Sequence, residues 1–348
     1  MNKVTVLIVD DSATMRAVIK TVLRQDPMIE VIGEANDPYE AREKIKALNP
    51  DVLTLDIEMP RMSGLQFLKK IMELRPMPVI MLSSLTQSGA ADTVEALSIG
   101  AFDCIAKPTT GDYIDALGHL PTIIRAASKY KPEGTAARDA VGQTTIQEFR
   151  PNGRIAAIGS STGGVEALLT VLSQFPVNCP PTIITQHMPP SFLGTFAARL
   201  NKTINPKVSL AFDGAPLKTG QIYIAPGGEH HLEVTGRTNK TCRLLAGATV
   251  SGHRPSVDVM MHSVASVLGH KSVGVMLTGM GRDGAKGMLE IRRAGGRTVG
   301  QDERSCVVYG MPKSAFEIGA VEKQLPLRKI GREILSLCSA EIRDRRSA

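Results

Sequence analysis

A chain of 348 residues, 43% hydrophobic and 22% charged, has room for about two domains, each with its own core. Its five scattered cysteines exclude a disulfide framework and a zinc knuckle and read as reduced thiols in a cytoplasmic protein, and its apolar runs are too short to insert in a membrane. A net charge of +7 admits nucleic acid, but with no dense Lys/Arg block and 4% aromatics there is no base-stacking platform, and no nucleic-acid partner is expected.

The first apolar run, Val4 to Val9, reads as a buried parallel strand. It leads straight into Asp10-Asp11, unlike a signal peptide. Ser12 opens a helix, Ala13 to Arg24. Strands at Val31 to Ala35, Val52 to Leu55, Pro78 to Leu82 and Phe102 to Ala106 then alternate with helices at Pro38 to Leu48, Gly64 to Leu74, Ala91 to Ile99 and Tyr113 to Tyr130. Five such alternations predict an open parallel sheet with helices on both faces. Asp10, Asp11 and Asp56 fall at the carboxyl ends of strands one and three, where such sheets bind ligands. Three carboxylates there repel one another, and Mg2+ would relieve them. Ser83 and Lys107 end strands four and five on the same edge, a hydroxyl and an ammonium suited to a phosphoryl group.

Asp10-Asp11-Ser12, Leu55-Asp56-Ile-Glu-Met-Pro-Arg-Met-Ser-Gly64, Ser83-Ser84 and Ala106-Lys107-Pro108 together resemble a response-regulator receiver domain, a flavodoxin-like fold. The resemblance implies that Asp56 takes phosphate from a histidine kinase. It also implies that Asp10, Asp11, Asp56 and the Glu58 backbone carbonyl hold Mg2+, and that Ser83 and Lys107 sense the phosphoryl group. Many receivers carry an aromatic three residues before the lysine; this chain has Cys104 there, which puts an aromatic-flip switch in doubt.

Residues 1–127 are therefore assigned to a receiver, 128–152 to a linker rich in Pro, Gly and Thr, and 153–346 to a second domain. That domain opens on Ile155 to Ile158, a short strand, followed by Gly159-Ser160-Ser161-Thr162-Gly163-Gly164 and a helix, Val165 to Ser173. The G-x-S-x-G spacing lifts Ser161 clear of the backbone as a nucleophile. The alternative is a glycine-rich turn that cradles an anion. Thr182 to Thr185 is a strand ending at His187, and Ser191 to Leu200 a helix. Short strands follow at Val208 to Ala211 and Ile222 to Ala225, then a hairpin at Leu232 to Val234 and Cys242 to Leu245. A helix spans Ser256 to Leu268, and Ser272 to Leu277 is a clear buried strand before Thr278-Gly-Met-Gly-Arg-Asp-Gly284. A helix at Ala285 to Ala294, a strand at Thr298 to Gly300, and helices at Ser314 to Ile318 and Leu327 to Arg343 complete a second doubly wound α/β domain with a small antiparallel insert.

A serine nucleophile needs a base and an orienting acid. His187 and Asp283 each follow a buried strand and reach the same edge as Ser161. Glycines 279, 281 and 284 free N–H groups for an oxyanion, although Met280 could instead pack on a substrate. A zinc site from His230, His231 and His253 is a rival, weakened because adjacent histidines on a strand face opposite ways. The order Ser161, His187, Asp283 differs from the Ser, acid, His order of α/β-hydrolases.

Ile158-Gly-Ser-Ser-Thr-Gly-Gly164, Ile184-Thr-Gln-His-Met-Pro-Pro190, His253-Arg-Pro-Ser-Val-Asp258 and Leu277-Thr-Gly-Met-Gly-Arg-Asp-Gly284 resemble the catalytic domain of the chemotaxis protein-glutamate methylesterases. The resemblance implies a serine hydrolase that demethylates glutamyl esters on the cytoplasmic helices of methyl-accepting chemoreceptors, with Ser161, His187 and Asp283 as triad and no cofactor for the ester chemistry. It leaves open deamidation of glutamines at the same sites. It places the oxyanion on the Met280 and Thr162 backbone, and suggests His253 and Arg254 as contacts for an acidic receptor helix. The competing class is a response regulator whose second domain binds DNA or protein without catalysis; it predicts a basic recognition helix, which the sequence lacks.

Overall fold

The computed structural model describes residues 3–84, 86–108, 113–130, 132 and 149–340. The chain divides into two compact units, Met1–Val141 and Gly142–Ala348. Most of the predicted linker, 133–148, lies outside the described residues, as do residues 341–343 of the predicted last helix. Phe149 to Asn152, assigned to the linker by composition, are tied into the second unit. Phe149 is buried, and Asn152 donates to the carbonyls of Leu337, Cys338 and Ser339.

The first unit runs β1 (Val4–Val9), α1 (Ala13–Arg24), β2 (Ile29–Ala35), α2 (Pro38–Leu48), β3 (Val52–Asp56), α3 (Gly64–Leu74), β4 (Val79–Ser83), α4 (Gln87–Ile99), β5 (Asp103–Ala106), α5 (Tyr113–Ala116) and α6 (Leu120–Ala127). Its five strands pair in parallel in the order β2-β1-β3-β4-β5. The helices start where their caps dictate. Ser12 accepts from the Met15 N–H, Asp37 from Tyr39 and Glu40, and Ser63 forms a capping box with Gln66. Thr86 caps α4, which begins four residues before its apolar period. The predicted single helix from Tyr113 to Tyr130 is instead two. Pro121 has no N–H to give the Leu117 carbonyl, which takes the Leu120 N–H in a turn.

The second unit continues with β6 (Ile155–Ser160), α7 (Gly164–Leu172), β7 (Thr182–Gln186), α8 (Pro190–Thr203), β8 (Lys207–Leu210), β9 (Gln221–Ile224), β10 (His230–Thr235) and β11 (Thr241–Ala246). Then come α9 (Val257–Leu268), β12 (Ser272–Met276), α10 (Ala285–Arg293), β13 (Arg297–Gln301), α11 (Met311–Glu317), β14 (Lys323–Leu325) and α12 (Leu327–Cys338). Seven parallel strands lie in the order β14-β13-β12-β6-β7-β9-β8, and β10-β11 is the antiparallel insert. The chain builds from β6 outward through β7 on one side, then returns to add β12 on the other. The carboxyl end of β6 is therefore a topological switch point, where open α/β sheets bind ligands.

Helix α9 packs directly behind that point. Val257, Met260, Met261 and Val264 share a buried cluster with Met276, Met288 and Ile291. Contact with β6 is close enough to require glycine: a Cβ on Gly159 would lie 2.3 Å from Val257 Cγ1. Valine is short and β-branched and cannot swing aside. Gly159→Ala should therefore destabilise the second unit by about 1–3 kcal/mol, seen as a lower thermal midpoint; an unchanged midpoint would contradict this packing.

Candidate active site

The register of three neighbouring strands assembles the site. Ser160 on β6 pairs with Gln186 on β7, so Ser161 and His187 leave the sheet side by side. Gly159 pairs with Met276 on β12, and beyond it the Ser161 N–H donates to the Thr278 carbonyl at 3.0 Å. That brings the β12 loop, with Asp283, against the serine from the other side. A Cβ on Gly279 would sit 2.8 Å from Ser161 Cβ, so the serine and the loop approach only because residue 279 is glycine. The turn after Ser161 passes through Gly163 at φ +77°, a left-handed conformation that glycine adopts freely.

Asp283 is buried, and its carboxylate is fully coordinated. Oδ2 accepts from His187 Nε2 at 2.8 Å and from the Val257 N–H at 2.7 Å. Oδ1 accepts from Ser256 Oγ at 2.8 Å and from the Asp258 N–H at 3.1 Å. Those backbone donors form the first turn of α9, where the helix dipole favours an anion. Burial pushes the Asp283 pKa up, but the His187 hydrogen bond and charge, with the Val257 N–H and Ser256 hydroxyl, hold it below the ordinary aspartate value. An ionised acceptor at Nε2 makes that nitrogen the protonated one and leaves Nδ1 with the lone pair. Nδ1 is buried and has no hydrogen-bond partner among the described residues. Ser161 follows the β6 residue whose register partner directly precedes His187, so the serine turn begins next to this ring.

The oxyanion donors expected from the sequence are the backbone N–H groups of Met280 and Thr162. The Met280 N–H has no acceptor among the described residues. The loop that carries it is clamped: the Gly279 N–H donates to the Val308 carbonyl, and the Gly279 carbonyl accepts from Gly310 and Met311. Thr278 Oγ1 donates to the Thr162 carbonyl at 3.0 Å, which fixes the second candidate strand-turn to the first. A cleft of about 400 Å³ opens beside His187, lined by Met188, Pro190, Thr249, His253 and Arg254.

The zinc alternative does not form. His231 is sealed, with Nε2 on the Ala248 carbonyl and Nδ1 accepting the Ser256 N–H, so neither nitrogen is free for a metal. Arg254 lines the cleft and is also held by the backbone. Its guanidinium donates to the Gly228 and Gly247 carbonyls at 2.6 Å each and braces two loops.

Sequence reasoning missed Gln186. Its buried carboxamide accepts from Ser160 Oγ at 2.6 Å and donates to the carbonyls of Ser161 and His187 at 3.0 and 3.1 Å. One side chain thus ties the Ser161 turn to the His187 turn, bonding two carbonyls that lie beyond the strand ends. The only sequence signal was a polar residue ending an apolar strand. Helix α7 must begin with Gly164, because a Cβ there would lie 2.0 Å from Gln186 Oε1.

In the first unit Asp10, Asp11 and Asp56 present carboxylate oxygens all within 4.8 Å of one another. Lys107 Nζ sits 2.8 Å from both Asp10 Oδ2 and Asp56 Oδ1. Burial pushes Asp56 up to about 6, against the Lys107 hydrogen bond and together with the Asp10 charge. Burial alone would lower the Lys107 pKa, but the two carboxylates hold it above the ordinary lysine value. Gly64 lets α3 start against this edge, since a Cβ there would lie 1.9 Å from the Asp56 carbonyl oxygen. Ser83 is buried at the same edge, but its hydroxyl donates to the Gly89 and Ser84 carbonyls. Cys104 Sγ lies 3.4 Å from Thr93 Oγ1, and its thiol pKa is pushed up to about 12 by burial.

Fold and sites together define a receiver joined to a hydrolase with a serine, histidine and aspartate at a parallel-sheet edge. The CheB methylesterase family matches residues 156–334, and the response regulator receiver domain family matches residues 6–117. The chain is 58% identical over 343 residues to the protein-glutamate methylesterase/protein-glutamine glutaminase 1 of Caulobacter vibrioides, covering 98% of this chain and 99% of that one. It is 57% identical to the protein-glutamate methylesterase/protein-glutamine glutaminase of Agrobacterium fabrum, covering 96% and 97%. The crystal structure of the Thermotoga maritima CheB methylesterase catalytic domain superimposes with a TM-score of 0.52 at 38% identity, covering 53% of this chain and 99% of that one. The chain belongs to the CheB methylesterase family and carries its receiver domain. No helix among the described residues is long and apolar enough to cross a membrane.

Two substitutions test the geometry. Asp283→Asn should lower kcat by about 10³–10⁴-fold, because an amide can stabilise the wrong tautomer of His187. Gln186→Met, which keeps the volume and removes the tie, should lower kcat with little change in KM. An Asp283→Asn variant of near-normal kcat would remove Asp283 from the mechanism.

Proposed function

We propose that this chain is a phosphorylation-regulated protein-glutamate methylesterase acting on chemoreceptors in bacterial chemotaxis. The observation that carries the reading is the His187 ring: one nitrogen is bound to buried Asp283, and the other is left unpartnered beside the serine turn. Ser161 Oγ attacks the side-chain carbonyl carbon of a glutamyl methyl ester as His187 Nδ1 takes its proton. The Met280 and Thr162 N–H groups hold the tetrahedral oxyanion. The protonated His187, stabilised by Asp283, returns the proton to the departing methoxide, which leaves as methanol. A water, deprotonated by His187, then attacks the glutamyl-serine ester and releases glutamate. The same steps on a glutamine side chain release ammonia, which makes deamidation the second activity of the site.

The acidic trio fits a hard divalent cation. Two of its carboxylates are buried, and all three bring oxygens within 4.8 Å of one another, a hard oxygen donor set close enough to share one ion. Asp10, Asp11, Asp56 and the Glu58 backbone carbonyl would hold Mg2+, which supplies charge neutralisation for phosphoryl transfer. Asp56 accepts the phosphoryl group from a histidine kinase. Lys107 pairs with its oxygens, and Ser83 does so after its hydroxyl turns away from the Gly89 carbonyl.

The test is methanol release from a methylated chemoreceptor fragment, with and without Mg2+ and a small phosphodonor. Wild type should release methanol faster with phosphodonor. Asp56→Asn should keep only the basal rate, and chelation of Mg2+ should do the same to wild type. Ser161→Ala should lose at least about 10³-fold under every condition. Undiminished release by Ser161→Ala would overturn the serine mechanism. No release by wild type with Asp56 phosphorylated would favour a non-catalytic output domain.

A further inference from the structure

His253 is unaccounted for by the reaction as described, yet it lies against the base. Its imidazole stacks on that of His187 with ring centroids 3.7 Å apart and planes 8° from parallel. We propose that His253 is a positioning residue that fixes the ring plane of His187, keeping Nδ1 aimed at Ser161 while Nε2 stays on Asp283. The inference rests on the esterase reading of the same site.

The physical need is specific. A single hydrogen bond from Nε2 to Asp283 anchors one corner of the ring and leaves it free to rock about that contact. Nδ1 has no hydrogen-bond partner among the described residues to hold the opposite corner. A flat ring in parallel contact limits the rocking while leaving both nitrogens in the plane available. Aromatic faces also attract a cation, so the stack favours the His187 imidazolium formed as Ser161 attacks. His253 does not bring a second positive charge. Burial, with the neighbouring His187 charge, lowers its pKa to about 4, despite the opposing pull of Asp283.

The chain around His253 is built to hold it still. Val250 and His253 exchange backbone hydrogen bonds at 3.0 Å across a tight turn. Arg254 next to it bridges the Gly228 and Gly247 carbonyls. Three residues after His253, the same segment enters the first turn of α9, where Ser256, Val257 and Asp258 grip Asp283. One six-residue stretch thus holds the face of the base and the carboxylate that orients it. Both partners of His187 are thereby tied to one stretch of chain, His253 as part of it and Asp283 through its hydrogen bonds.

The experiment compares His253→Phe, His253→Leu and His253→Ala in the full chain with phosphodonor and Mg2+. Phenylalanine keeps a flat face; leucine keeps bulk without one. His253→Leu and His253→Ala should lower kcat for methanol release between about 10- and 100-fold, with KM within about twofold of wild type. His253→Phe should recover most of the loss. A readout independent of substrate is the solvent exchange of the His187 Nε2–H proton by NMR. It should be about tenfold faster or more in the leucine variant and near wild type in the phenylalanine variant. Phenylalanine no better than leucine, in kcat and in exchange, overturns the proposal. So does an effect confined to KM, which would make His253 a substrate contact. Wild type lacking methanol release while its exchange pattern follows the prediction would overturn the esterase reading and leave the stacking role standing.

Discussion

The catalytic unit depends on the burial of one charge. Asp283 gives up water entirely and is held by a histidine, a hydroxyl and two backbone N–H groups. A buried carboxylate deprived of its partners costs about 3–5 kcal/mol. Everything that supplies those partners must therefore be in place together: the loop after β12, the first turn of α9 and the end of β7. Gly159 and Gly284 let that helix approach, since a Cβ on either would lie within 2.4 Å of Val257 Cγ1. The stability of the fold and the tautomer of His187 are two consequences of the same set of hydrogen bonds.

Both units solve their problem at the same place. In the first, the chain leaves β1 for β2 on one side and then crosses to β3 on the other; Asp10 and Asp56 end the strands that flank the crossing. In the second, β6 lies between β7 and β12, and the three strands deliver Ser161, His187 and Asp283. The chemistry differs because the residues differ. Carboxylates crowded around a lysine suit a cation and a phosphoryl group, whereas a hydroxyl, an imidazole and one acid suit acyl transfer.

Much of this was legible because parallel strands announce themselves as apolar runs, and the residue after each run lands on the functional edge. That logic singled out Asp10, Asp56, Lys107, Ser161, His187 and Asp283 as candidates from sequence alone; in the structure His187 and Asp283 are hydrogen-bonded, and strand register starts the Ser161 turn beside them. What it could not reach was contact across strands. Gln186 looks like any polar strand ending until its register partner is known to be Ser160. His253 was suggested as a substrate contact from its motif and charge, and nothing in its spacing says that its ring lies on His187. β14, only three residues of mixed polarity, has no period to read. The break before α6 was visible in Pro121, but the apolar period on either side of it masked the interruption.

The central claim is that Ser161 becomes covalently attached to the substrate. Acid quenching during turnover of a methylated receptor fragment, followed by mass spectrometry of the proteolysed enzyme, tests it directly. The account predicts a glutamyl ester on Ser161, with its yield increased when phosphodonor and Mg2+ raise turnover. An adduct on another residue, or sustained methanol release with no adduct under conditions where acyl transfer precedes a slower hydrolysis, would contradict it.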